Sequence, residues 1–135
     1  MKKASMAITI FLTIAVSAFS AHADLDTFLS DLNIQANTDL NGFGVNLSAQ
    51  FGIPVPEVHA IIRTVEFPAD AFMCLQLSLM TGKQLDMVIQ TYKRHKGNGW
   101  GTIAKELGIK PGSNEFHALK NGNFTFTGGQ RGKPD

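Results

Sequence analysis

Val58, Ile61, Ile62 and Val65 fall at positions i, i+3, i+4 and i+7. The same spacing returns in Leu85, Val88, Ile89 and Tyr92, and again in Trp100, Ile103, Ala104 and Leu107. Each set lines one face of a helix. Ahead of them, Leu25, Phe28, Leu29 and Leu32 predict a short helix over Leu25–Asn33, and Ala36, Leu40, Phe43, Leu47 and Phe51 form a second helical stripe. Gly42 and Gly44 interrupt that stripe. Each costs about 1 kcal/mol relative to alanine, and such a pair marks either a bend or the close approach of a neighbour. The run from Ala69 to Met80 differs in kind. It is apolar on nearly every side, broken only by Asp70, Gln76 and Ser78, and a helix of that pattern belongs at the centre of a domain.

Punctuation between the stripes is dense. Gly52 closes the Phe51 stripe, and Ile53-Pro54-Val55-Pro56 reads as an extended link whose second proline suits the first turn of the next helix. Pro68 starts the central helix and excludes Phe67 from helical geometry. Thr81-Gly82 ends it. Lys93-Arg94-His95-Lys96 complements the negative end of the following helix. Asn98 is an expected N-cap for the Trp100 helix, Gly108 its left-handed terminator, and Lys110-Pro111-Gly112 a turn. Ser113 caps a last short helix in which Phe116 and Leu119 share a face, and Gly122 ends that one. No alternating strand pattern precedes the tail. The expected fold is all-α: a compact bundle or orthogonal array of five to six short helices over residues 24–121, with a disordered C-terminal tail over 122–135. In that Gly-, Asn- and Thr-rich tail, Phe124 and Phe126 alternate with threonines, so the segment can alternatively pair as a strand or dock into a groove.

The first residues change the picture of where the domain works. Met1-Lys2-Lys3 is basic, Ala7 to Phe19 is apolar, and Ala21-His22-Ala23 is a small-x-small cleavage site before Asp24. Those are the three parts of a secretory signal peptide, residues 1–23. The apolar core is too short for a comfortable membrane anchor of about twenty residues. The expectation is a periplasmic or secreted bacterial protein with no transmembrane anchor after processing. One cysteine, Cys74, lies in the most apolar run, so no intramolecular disulfide forms and the domain stands on its core.

Charge is balanced in total, 12 Lys and Arg against 11 Asp and Glu, which argues against generic nucleic-acid or membrane-surface binding. It is uneven along the chain. Asp24, Asp26, Asp31, Asp39, Glu57, Glu66 and Asp70 face only Arg63, whereas Lys83, Lys93, Arg94, Lys96, Lys105, Lys110 and Lys120 outnumber Asp86, Glu106 and Glu115. Oppositely charged halves pack together, stay solvated, or support head-to-tail self-association; exposed pairs contribute little each.

Recognisable chemistry is sparse. His59, His95 and His117 form no close ligand pair, and H-E-x-x-H, C-x-x-C, D-x-D-x-D-G, G-x-S-x-G and Walker patterns are missing. A thiol nucleophile needs access and an electropositive setting, which the surroundings of Cys74 do not offer. Catalytic residues, metal ligands and cofactors are therefore expected to be none. Trp100, the single tryptophan, follows a glycine-rich Gly97-Asn98-Gly99 approach. It is either a core plug or, with Lys105, Lys110 and His117, the rim of a binding surface.

The stretch from Gly99 to Lys120, G-W-G-x-I-A-K-x-L-G-I-K-P-G-S-x-x-F-H-x-L-K, resembles one carried by small exported bacterial proteins of unassigned function. The resemblance extends upstream through Phe67-Pro68-Ala69-Asp70. It implies an exported helical protein and carries no activity with it. The two helices of the stretch are also similar in outline to a helix-turn-helix DNA reader, but the link Ile109 to Gly112 is long and the second helix lacks a row of base-reading side chains. The functional expectation is an exported, non-enzymatic protein that binds an unknown protein or small ligand in the cell envelope through its basic C-terminal hairpin. The alternatives are a metal-dependent or enzymatic factor built from dispersed His, Asp and Glu residues, and a DNA binder if the N-terminus is not a leader.

Overall fold

The computed structural model describes residues 23–130. Seven α-helices and two 3-10 turns follow one another there: α1 Ala23–Thr38, α2 Leu40–Phe51, α3 Val55–Thr64, α4 Pro68–Thr81, α5 Leu85–His95, a 3-10 turn at Lys96–Asn98, α6 Trp100–Glu106, α7 Asn114–Asn121 and a second 3-10 turn at Thr127–Gln130. No strand occurs among the described residues. The architecture is all-α, as the spacing predicts. The segment read as a leader lies outside the described residues except for Ala23, which opens α1. None of the described helices is long and apolar enough to cross a membrane.

The centre is α4, which touches α1, α3 and α5. Phe72, Met73, Cys74 and Leu77 are wholly enclosed, as expected of a helix with no polar stripe. Four rings surround Phe72: Phe28 of α1 at 5.3 Å, Phe51 of α2 at 5.6 Å, and Phe124 and Phe126, each at 6.3 Å between centroids. Most of these contacts are edge-on or tilted, the arrangement that ring quadrupoles favour.

The first turn of this helix is buried at Ala69 and Asp70, and its first amides need acceptors. Pro68 at the first helical position has no N–H to satisfy. The Ala69 N–H donates to Asn33 Oδ1 of α1 at 2.8 Å, and the Asp70 N–H donates to the Phe67 carbonyl at 2.8 Å. The Asp70 carboxylate in turn reaches back to accept from the Phe67 N–H at 3.3 Å, the acidic half of a capping box.

Elsewhere the helix boundaries follow the expected punctuation with two exceptions. The break between the first two helices falls later than the apolar spacing predicts. α1 runs through to Thr38, and Asp39 alone separates it from α2. The Asp39 carboxylate accepts the Gly42 N–H at 3.0 Å, a side-chain cap that starts α2. A Cβ at Gly42 would collide with that carboxylate, and one at Gly44 would collide with the His59 imidazole of α3. The glycine pair therefore serves close approach at both positions. The second exception is Asn98, described with the site below. Ser113 caps α7 as expected, accepting from the Phe116 N–H at 3.1 Å. Gly108, at φ +99°, ends α6: its N–H donates to Lys105 and that of Ile109 to Ala104, both at 3.0 Å, which is a Schellman closure.

Of the three readings of the tail, disordered, strand-paired or docked, the last is the one observed for its described part. Phe126 is 8% exposed and packs against Phe43 at 5.2 Å. Gln50 of α2 clamps the backbone on either side of it. Its amide donates to the Thr125 carbonyl at 2.8 Å and its oxygen accepts from the Thr127 N–H at 2.9 Å. Residues 131–135 lie outside the described residues. Phe126→Ala should lower unfolding free energy by about 3 kcal/mol. Chemical denaturation measures this; a variant as stable as the parent would mean that the tail does not belong to the core.

Candidate functional site

The chain turns sharply on both sides of α4 and α5, and those turns build one cleft. Pro68 forces Phe67 into an extended conformation, φ −127° and ψ 147°. This leaves the Phe67 ring 53% exposed beside the start of α4. Three residues later Asp70 faces inward and is only 9% exposed. Tyr92 comes from the buried face of α5, and its hydroxyl reaches the start of α4. It donates to Asp70 Oδ2 at 2.7 Å and accepts from the Glu66 N–H at 3.0 Å. A buried carboxyl is tolerated where it is hydrogen-bonded, and Tyr92 and Phe67 supply two donors.

Behind Tyr92 the chain leaves α5 through Lys96–Asn98 and reverses at Gly99, whose φ of +91° and ψ of 163° suit glycine. Gly99, not Asn98, is the N-cap of α6, and no side chain caps that helix. The Asn98 carbonyl instead accepts from the Thr102 hydroxyl at 3.2 Å. The reversal drops Trp100 onto Tyr92, with ring centroids 5.4 Å apart and planes 26° from parallel. Lys96 Nζ lies 3.8 Å from Glu66 Oε1 across the opening, both side chains about half exposed. Glu66, Phe67, Asp70, Tyr92, Lys96, Gly99, Trp100 and Ile103 line a cleft of about 220 Å³.

Burial raises the Asp70 carboxyl above its ordinary range; the Tyr92 and Phe67 hydrogen bonds pull the other way, Glu66 raises it further and Lys96 offsets part of that. Burial also raises Tyr92, above all other influences on it. Cys74, one turn after Asp70 on α4, is pushed up to about 12 by burial and by the Asp70 charge. Such a thiol stays protonated and is no nucleophile.

The four residues expected to form a binding rim separate. Trp100, half-buried, lines this cleft. Lys110 lines a different and larger depression of about 460 Å³ with Met80, Lys83, Leu107, Ile109 and Ser113. Lys105 and His117 are exposed and line neither. No buried polar side chain lines the larger depression, whereas buried Asp70 lines the smaller one. The histidines separate too: His59 sits between α2 and α3 against Gly44, His95 faces Glu106 at 4.0 Å, and His117 is on the surface of α7. Among the described residues no three His, Cys, Asp or Glu side chains are grouped to hold a metal.

Asp70, Tyr92, Glu66, Phe67 and Lys96 were not apparent as site residues from the sequence. One signal was present: Asp70 is the only charge in the apolar run Ala69 to Met80, and a buried acid needs a donor that the sole tyrosine, on the apolar face of α5, can give. No family model, curated protein or solved structure matches the chain.

Two measurements check this geometry. Asp70 has a raised value in the folded state, so between 3.8 and that value the folded chain binds more protons than the unfolded chain. Stability should therefore fall as pH rises through that window. Asp70→Asn, which keeps an acceptor for Tyr92 and cannot ionise, should lose this component of the pH profile. Tyr92→Phe should cost about 1–3 kcal/mol in urea denaturation, because it strips a hydrogen bond from Asp70 and another from the Glu66 amide.

Proposed function

We propose that the protein is a small exported binding protein that holds a ligand or a partner side chain in the cleft at Trp100, and that it is not a catalyst. The observation that carries this reading is the aromatic wall over a buried acid. Trp100 stacked on Tyr92, with Phe67 open to solvent beside them, stands above a nearly enclosed carboxyl. Aromatic surface with a small number of fixed polar groups is the usual composition of a binding cleft. The leader-like N-terminus supports export. Against catalysis stand the protonated thiol of Cys74 and the separation of the three histidines. Lys105 of α6, Lys110 of the turn after it and His117 of α7 lie outside the cleft, and an anionic part of a partner would meet them individually.

The single tryptophan makes the reading measurable. Protein produced from the full chain with its own leader should begin at Asp24 by mass spectrometry and be found outside the cytoplasm. Added fractions of envelope extract should shift Trp100 emission saturably in one fraction, and Phe67→Ala should weaken that response while Leu79→Ser, at an exposed position away from the cleft, should not. If every active fraction acts equally on the parent and on Phe67→Ala, the cleft is not the binding surface.

A further inference from the structure

We propose that the group taken by this cleft is an organic cation, a primary ammonium or guanidinium, received by Asp70 and Glu66 against the Trp100 face. This rests on the binding function assigned to the cleft and names its ligand class.

Asp70 Oδ2 is used within the fold, by Tyr92 and by the Phe67 amide. Oδ1 accepts no hydrogen bond among the described residues. Nor is it sealed away: the one fully enclosed side-chain nitrogen or oxygen without a partner among the described residues is His59 Nε2. Asp70, nine-tenths buried, lines the cleft and keeps one oxygen without a partner among the described residues. An acceptor-only group in a poorly solvated place selects a donor, and a charged donor most strongly. The wall agrees with that choice. Trp, Tyr and Phe faces carry negative quadrupole charge and attract cations, and all three aromatic types line this cleft.

The charge balance agrees as well. Glu66 and Asp70 face a single cation, Lys96. Lys96 holds Glu66 through one half-exposed contact of 3.8 Å, a kind of pair that contributes little. An incoming cation competes with Lys96 for Glu66. Lys96 is therefore a stand-in that must swing aside. At about 220 Å³ the space suits a side-chain-sized group better than a drug-sized ligand, whose sites begin near roughly 300 Å³.

The assignment fixes the sign of each substitution. Trp100 emission is followed at about pH 8, well above the ordinary carboxylate range, during titration of the full chain with methylguanidinium, n-butylammonium, n-butanol and butyrate, and with a short Arg-containing peptide. The cations should saturate and the neutral and anionic probes should not. Asp70→Asn should weaken cation binding roughly tenfold or more, Glu66→Gln should weaken it less, and Lys96→Ala should tighten it. Response to the free cations marks a small-molecule ligand, and response to the peptide alone marks a partner's side chain; both support a cation. Butyrate binding that Lys96→Ala abolishes overturns the assignment and leaves the cleft a binding site for anions. Silence toward every probe also overturns it. The fate of the binding function is then read separately from the envelope fractions, which assume nothing about charge.

Discussion

The rest of the molecule depends on the enclosure of Phe72. Its ring is reached from α1 by Phe28, from α2 by Phe51 and from the last described segment by Phe124 and Phe126. Residues more than forty positions apart on either side are thereby fixed to one point of α4. No disulfide assists them, since the lone cysteine is two residues further along the same helix and equally enclosed. The stability of this small domain is consequently a matter of how well rings and methyl groups interlock, where each lost side chain is felt in full.

Putting a helix at the centre creates a second constraint, and the cleft follows from it. The first-turn amides of α4 are removed from water, so acceptors must be brought to them: Asn33 from α1 takes that of Ala69 and the Phe67 carbonyl that of Asp70, while the Asp70 carboxylate takes the N-cap amide of Phe67. Asp70 is then itself buried and needs a donor, which α5 supplies through Tyr92. Tyr92 presents a ring face that α6 covers with Trp100 once Gly99 has reversed the chain. Each step answers a need created by the one before it. The buried acid, the phenol and the indole come together because the core helix must begin somewhere, and the place where it begins is open on one side.

Much of this fold was legible as periodicity. The all-round apolar run marked α4 as central, the repeated i, i+3, i+4, i+7 sets marked α3, α5 and α6, Gly108 marked the end of α6 and Ser113 the start of α7, because those signals depend on neighbours within one or two turns. What failed depends on distant partners. The boundary at Asp39 was hidden because Ala36, Phe43 and Leu47 feed one core across the break, so the apolar stripe reads as continuous. Asn98 offered a good capping side chain, yet the sharp turn at Gly99 takes the capping position. The tail carries a disordered composition, and the slots that hold Phe124 and Phe126 exist only after α1, α2 and α4 have met. At the site, Trp100 was legible as an isolated aromatic near glycines. Its companions were not, since Glu66, Asp70 and Tyr92 converge through tertiary contact and share no local spacing. Lys105, Lys110 and His117 were grouped by proximity in sequence, and none of them lines the cleft that Trp100 does.

The uneven charge of the chain takes on a meaning in this light. Glu66, Phe67 and Asp70 close the acidic part of the sequence, while Tyr92, Lys96 and Trp100 belong to the basic part, and the cleft lies on the seam between them. Among the described residues the seam is crossed by one ion pair, Glu66 with Lys96; the contact of His95 with Glu106 at 4.0 Å lies within the basic part. Charge does not therefore hold the halves together. Apolar contact between α4 and α5 does that, and it leaves the ionic groups at the seam free to respond to what arrives. A pair held at 3.8 Å between half-exposed side chains exchanges partners at small energetic cost, whereas the Asp70–Tyr92 bond beneath it, buried and short at 2.7 Å, does not. For the cation proposed above, a rigid acceptor under a replaceable Lys96 would let the floor set what is recognised and the rim decide how readily it is admitted.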